Sequence, residues 1–304
     1  MCAAPVFPWQ TKAFEAFCAM WQQSDSVHAP VWLLSGSVGT GLSEFAMQAS
    51  ARWLDTTQPD HPDRLRVQPA AGHKEITVEQ VRDLGDFMHL TSLISPRRAV
   101  IIDTIDALNQ HAVNALLKSL EEPPARTLCL LVCHRPYALL PTLRSRCMEL
   151  RLPQPTRAEA LEFLATEGPE MEPGQYGIWL DLAGGAPLTA LDLYAENGLE
   201  MLAGFPEMLA AERIDMVRLH QWLAKLSSKD ETAPLLLLRY TQQQLRHLLK
   251  QEKPRPMMRE LLAVEAVFTE NIHQLHAEYV DAKSLVLGAF SQLQSWFQKF
   301  PRSA

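Results

Sequence analysis

The chain has 304 residues, 47% of them hydrophobic, with a formal net charge of −7 and a pI of about 5.8. That length holds about two domains as a prior, and the acidic balance argues against a stand-alone nucleic-acid binder, which carries a basic surplus. No apolar run is long enough to span a membrane, and the five cysteines, odd in number and without C-x-x-C spacing, fit a reducing compartment better than disulfides or a zinc site. The opening MCAAPVFPWQ lacks the basic-then-apolar order of a signal peptide, so a cytoplasmic location is expected.

The first predicted element is a buried strand, Val31–Leu34, followed by GSVGTGLS (Gly36–Ser43) and a helix start at Glu44–Ala49. Further strands are expected at Leu65–Gln68, Ala99–Ile102, Thr127–Val132 and Met148–Leu152. Between them, Val78–His89 has helical spacing, with Thr77 and Gln80 forming a capping box. Ala112–Glu122 carries a stripe of Val113, Leu116, Leu117 and Leu120, and Pro123-Pro124 ends it. Strands alternating with helices predict a mostly parallel sheet covered on both faces. After Pro153-Gln154-Pro155 the texture turns helical. Thr156–Glu159 reads as a capped helix start, with short helices to about Asn197 and a break at Gly204-Phe205-Pro206. Longer helices follow over Ala233–Lys250, Met257–Glu270 and His276–Phe297. The expected division is an α/β domain over 1–154, a small helical domain over 155–200 and a helical C-terminal domain over 201–304.

The strand–GSVGTGLS–helix order matches the P-loop form G-x-x-x-x-G-K-[ST] at every fixed position but one. Gly36, Gly39 and Gly41 can supply a backbone cradle for phosphate, and Ser43 the hydroxyl that ligates magnesium. Asp103, at the end of the next parallel strand, is placed to hold that ion. Leu42 stands where the lysine belongs and brings no charge to the phosphates. The same loop reads equally well as a glycine-rich turn without a ligand.

NALLKSLEEPP (Asn114–Pro124) and LLPTLRSRC (Leu139–Cys147) follow this loop in order. Together with Phe7-Pro8-Trp9 near the start, they resemble the clamp-loader branch of the AAA+ ATPases, strongly over Val31–Pro153 and only in architecture beyond. The resemblance implies an α/β AAA+ (P-loop type) parallel-sheet domain, a small helical lid domain and an all-α C-terminal collar domain. It makes Arg146, in Ser145-Arg146-Cys147, an arginine finger reaching ATP on a neighbouring subunit. Without it, Arg146 reads as a surface arginine in a salt bridge, and Arg144 is its adjacent rival. Motor members of the branch carry a glutamate where Thr104 stands and a lid arginine where Leu188 stands, within Gly185–Thr189. Many also carry a four-cysteine zinc module, but Arg52–Pro69 has no cysteine, so no zinc is expected.

The expected function is therefore a non-hydrolysing ring subunit that needs no cofactor of its own. Its implied partners are the ATPase motor subunit (gamma/tau type), the clamp-opening subunit (delta type), and, through the assembly, the sliding clamp and primed DNA. Cys147 is expected to pack as a small apolar residue, while Lys118, Glu121 and Glu122 lie off the apolar stripe and could face a partner or DNA. Two alternatives stay open: a stand-alone atypical NTPase using Ser43, Asp103 and a lysine such as Lys118, and a purely structural interaction protein. A direct DNA-binding regulator is the weaker further idea, since it predicts steep salt dependence.

Overall fold

The computed structural model describes residues 6–22, 31–70, 73, 75–121, 124–137, 139–171, 173–195, 198, 202, 205–210, 214–225, 232–251, 254–275 and 281–300. Features expected at Cys2, Glu122, Pro123, Asn197, Gly204 and 276–280 lie outside these. Two compact units emerge, Met1–Ala160 and Leu161–Ala304. The C-terminal segment, and the small helical segment from Leu161 onward, fall in the second.

The first unit is a five-stranded sheet of β1 (Val31–Ser35), β2 (Arg64–Val67), β3 (Arg98–Ile102), β4 (Thr127–Cys133) and β5 (Met148–Arg151). Its order is β2-β3-β4-β1-β5, and each pairing is parallel. Strand alternation sorts the side chains into two cores. Trp32, Leu34, Ile101, Leu128, Leu130 and Val132 pack on one face with Phe17 of α1 (Thr11–Gln22) and Phe45 of α2 (Leu42–Leu54). Leu33, Val100, Ile102, Cys129, Leu131 and Cys133 pack on the other with α3 (Val78–His89) and α4 (Gln110–Glu121). The expected parallel sheet covered on both faces is what forms. β1, β3 and β4 are buried along their whole length, whereas β2, at the edge, reads Arg-Leu-Arg-Val and is only partly covered.

Local chemistry fixes the ends of these elements. Thr77 and Gln80 form the expected capping box of α3. Its C-terminus meets Arg98, buried to 5% exposure, whose Nη1 donates to the carbonyls of Phe87 and Met88 (3.2 Å to Met88). A cation there satisfies orphan carbonyls and complements the helix dipole. α4 starts at Gln110, two residues before the position expected, because the Asn109 side chain accepts from the Ala112 N–H at 2.9 Å. Its buried stripe is Ala112, Leu116 and Leu120; Val113 and Leu117, expected in that stripe, are half-buried.

Asp63 organises the turn from α3 to β3. Its carboxylate, 1% exposed, accepts from the backbone N–H groups of Leu93 (2.6 Å), Ile94 (2.8 Å) and Ser95 (2.8 Å). Burial alone would raise this carboxyl, but the N–H groups of Leu93, Ser95 and Ile94, helped by His61, hold it below its ordinary value of 3.8. The folded state therefore keeps the charge at pH values where the unfolded chain has begun to protonate. The contribution is complete above about pH 4 and is lost as the pH falls through the folded value. Asp63→Asn is expected to lower stability by about 2–3 kcal/mol at pH 7 and by less below pH 4. Urea unfolding at the two pH values checks this; an equal loss at both would show that the charge contributes nothing.

The second unit is built of helices, with no strand among its described residues. It takes α6 (Arg157–Glu167) from Leu161 onward, α7 (Pro173–Leu182), α8 (Pro187–Ala195), α9 (Phe205–Ala210), α10 (Met216–Lys225), α11 (Thr232–Leu249), α12 (Arg255–Gln274) and α13 (Ala282–Lys299). The capping box expected at the start of α6 forms, with Thr156 N–H donating to Glu159 at 2.8 Å and Glu159 N–H to Thr156 at 3.3 Å. α11 packs on α12 and α7, and its Gln242 donates to Thr269 (2.6 Å) and Glu265 (3.1 Å). Phe268 and Phe290 meet edge to face in the α12–α13 contact. α13 starts at Ala282, capped by Asp281. No helix among the described residues is long and apolar enough to cross a membrane.

Candidate functional site

The residues singled out in the sequence fall into two groups, one at each end of the sheet. The P-loop residues follow β1 at the carboxyl ends of the strands. Gly39 (φ 72°) and Gly41 (φ 92°) adopt the left-handed backbone that side chains disfavour, and α2 starts directly after Gly41. Gly36 donates its N–H to Cys133 at 3.2 Å, and Thr40 Oγ1 donates to Ser37 at 2.8 Å.

An N-terminal strap braces the loop. Phe7 and Trp9 stack at 4.8 Å between centroids. Trp9 Nε1 donates to the Thr40 carbonyl at 3.0 Å. Gln10 Nε2 donates to the same carbonyl at 2.9 Å and to that of Gly41 at 3.0 Å. The Phe7 ring lies so close to Gly41 that a Cβ there would fall 2.3 Å from it. The resemblance noted Phe7 to Trp9 as a motif; it did not single out Gln10, which is fully buried and holds two loop carbonyls at once.

Leu42 does not line a phosphate cavity, as its place in the motif suggested. It is 2% exposed and packs into the α2-side core beneath the loop, its Cδ1 3.0 Å from where a Gly36 Cβ would stand. The fold has used the lysine position for packing.

Ser43 and Asp103 are brought together: Ser43 Oγ donates to Asp103 Oδ1 at 2.7 Å. The other carboxylate oxygen, Oδ2, is taken by Arg66 of β2, whose Nε is 3.1 Å away and whose Nη2 is closer still. Arg66 and Asp103 share the α2 face, because Arg66 pairs with Ile101 in the parallel register. Sequence reasoning missed Arg66. Its signal was the Arg-x-Arg alternation in an edge strand beside one that ends in aspartate. A magnesium-bound nucleotide needs a carboxylate open to a cation and a loop open to phosphate. As arranged, Asp103 faces a permanent guanidinium and Leu42 supplies no charge, so the residues do not fit that group.

Thr104 has a structural use. Its hydroxyl donates to Asp106 (2.8 Å) or the Val132 carbonyl (2.9 Å) and caps a short turn over Ile105–Ala107. Asp106 also accepts from the backbone of His134 (2.6 Å) and Arg135 (3.2 Å), tying the ends of β3 and β4 together. Lys118 is exposed on α4, which packs on the opposite face of the sheet from Ser43 and α2. The lysine named for the stand-alone NTPase reading is therefore not at the P-loop. Leu188 is half-buried near the start of α8.

The second site precedes β5. Pro141 starts a four-residue helix, α5 (Pro141–Arg144), and Ser145–Cys147 lead into β5. Arg146 Nη1 donates to the Thr142 carbonyl at 2.8 Å, and Nη2 pairs with Glu121, the last residue of α4, at 3.1 Å. Both side chains are exposed, Arg146 at 36% and Glu121 at 58%. Arg144 instead pairs with Glu149 of β5 at 2.8 Å. Met148, the first residue of β5, lies beside Trp32, and the rise from Trp32 to Gly36 adds roughly 13 Å. Arg146, which comes before Met148, is thus at the amino end of the sheet while the P-loop is at the carboxyl end.

Burial raises the Cys147 thiol to about 11, and its Sγ donates to the Leu143 carbonyl at 3.3 Å. Burial likewise raises Cys129 and Cys133 to about 12, with Cys147 and Asp106 respectively adding to it. A thiol-specific reagent at pH 8 is expected to leave these three unmodified in the native chain and to label all three in denaturant. Native labelling of Cys147 at the denatured rate would show that it is not packed as described.

Residues 9–156 match the family profile described as DNA polymerase III, delta subunit. A DNA polymerase III subunit delta' from Yersinia pestis is 32% identical over an alignment of 262 residues that covers 72% of this chain and 74% of the relative. One from Pseudomonas aeruginosa is 35% identical over an alignment of 219 residues that covers 66% of this chain and 65% of the relative, so that match spans just under two thirds of the relative's length. Among solved structures, a DNA polymerase III gamma subunit-related protein from Thermotoga maritima superposes with a TM-score of 0.55 at 18% identity. It covers 93% of this chain and 99% of its own, a likeness of fold.

Proposed function

The chain belongs to the family of DNA polymerase III delta-prime subunits, and from that premise we propose that it is a non-hydrolysing subunit of a clamp loader. It lends Arg146 in trans to the ATP site of a neighbouring gamma/tau-type motor subunit and contacts a delta-type clamp-opening subunit. Through the assembly it supports ATP-dependent loading of a sliding clamp onto primed DNA. The observation that carries this reading is the separation of the two sites. Arg146 is exposed at the opposite end of the sheet from its own P-loop, so its guanidinium is available to another chain's nucleotide and not to its own.

Arginine suits the role because it stays charged and its fork matches phosphate oxygens. In the isolated chain the fork is held by Glu121 and the Thr142 carbonyl. That exposed pair is worth about 0–1 kcal/mol, so engaging a triphosphate need displace little. Loss of the P-loop lysine to Leu42, with Asp103 facing Arg66, supports the absence of hydrolysis by this chain. The ion pair to Glu121 is also what a purely structural subunit would show. The two readings part on stimulated ATP turnover by the reconstituted loader with Arg146→Ala, assembly being followed by gel filtration. Severalfold loss in an intact assembly supports the finger, and unchanged turnover leaves only the structural role.

A further inference from the structure

We infer that Arg66 has taken the place of the metal ion in the degenerate P-loop site, so that the site is internally neutralised and closed to a metal-bound nucleotide. The inference deepens the non-hydrolysing half of the proposed function and does not depend on Arg146. Asp103 is the carboxylate positioned to hold a cation beside Ser43, and its side chain is 9% exposed. Both of its oxygens are occupied, Oδ1 by the Ser43 hydroxyl at 2.7 Å and Oδ2 by the Arg66 guanidinium, with Nε at 3.1 Å. Its backbone is fixed as well, the Asp103 N–H donating to Val67, the neighbour of Arg66, at 2.8 Å. Cation and carboxylate are thus locked together by one strand pair, with the hydroxyl supplied by α2.

Magnesium demands near-ideal octahedral oxygen coordination and gives up its waters reluctantly. It would have to displace a guanidinium that cannot lose its charge at any accessible pH. It would also sit against that charge in a partly buried setting, where like charges a few ångströms apart repel strongly. The Leu42 packing is a separate closure, acting on the phosphates and not on the metal. Arg66 itself lies on the edge strand with its side chain 40% exposed, so it can be removed without opening the core.

The test uses the isolated full-length chain, and its failure is therefore distinct from failure of the arginine-finger experiment. Trinitrophenyl-ATP binding is followed by fluorescence with Mn²⁺ and with chelator, for wild type, Arg66→Ala, Arg66→Lys and Arg66→Ala/Asp103→Asn. Thermal melts confirm that each variant folds. The expected result is that Mn²⁺ does not tighten binding to wild type or Arg66→Lys. It tightens binding to Arg66→Ala by roughly ten- to hundredfold, the scale of one charge-assisted interaction, and the gain vanishes in the double variant. Wild type that binds only undetectably, beside an Arg66→Ala chain that binds with Mn²⁺, gives the same support. A wild-type affinity that Mn²⁺ tightens overturns the inference. So does a folded Arg66→Ala chain that Mn²⁺ leaves unchanged or without detectable binding.

Discussion

In a loader reconstituted with Arg146→Ala, clamp- and primed-DNA-stimulated ATP turnover is expected to fall severalfold or more while the assembly still elutes intact. An arginine finger contributes about 10³–10⁵ in rate at the site it serves, equivalent to about 4–7 kcal/mol of barrier. The drop expected in total turnover is smaller than that wherever the proposed assembly also holds motor sites that take their arginine from another subunit. Arg146→Lys should recover little, since an ammonium keeps the charge but not the fork. Folding is not at issue: the Arg146 side chain is exposed, and its contacts are one carbonyl and one surface carboxylate. Full turnover with alanine at this position would remove the catalytic part of the proposal and leave a spacer.

Restoring the motif lysine with Leu42→Lys is expected to destabilise the chain by about 2–4 kcal/mol and to return no nucleotide binding of wild-type P-loop strength. Leu42 is a core residue here, packed with Phe45 and against Gly36. Losing a buried leucine costs about 2–5 kcal/mol, and an ammonium at the same spot must either be desolvated or bend out past the loop. Arg66 would still neutralise Asp103. Urea unfolding gives the stability change, and isothermal titration with ATP the binding. A stable Leu42→Lys chain that binds magnesium-ATP tightly would mean that the loop is hollow enough to be repaired by one residue.

The strands were legible because a parallel sheet buried on both faces leaves unbroken apolar runs such as Val31-Trp32-Leu33-Leu34. α3 was legible to its ends, because Thr77 and Gln80 announce its start. The weaker points have local causes. Val113 was expected inside, but the face of α4 that meets the sheet is set by the small Ala112 in step with Leu116 and Leu120. Of the site, Ser43 and Asp103 could be paired from motif spacing alone, and they do meet. Arg66 could not, since its role depends on which strand lies beside β3, and strand order is not written in spacing. Gln10 was hidden for a similar reason: its partners, Thr40 and Gly41, are thirty residues away and are reached through backbone carbonyls, which leave no trace in residue identity.

The placement of Arg146 at one end of the sheet and the P-loop at the other gives the subunit a direction. Contacts that join an arginine on one copy to a loop on the next run head to tail and have no two-fold partner. A row built this way has one fewer complete junction than it has members, unless it closes on itself. On the proposed reading, a member whose loop is sealed by Leu42 and Arg66 but whose exposed arginine exchanges Glu121 for a neighbour's nucleotide can stand at only one terminus of such a row. There it finishes the last junction and starts none. The direction of the array, and the number of junctions it can fire, would then follow from a single leucine, an edge-strand arginine and the turn that leads into β5.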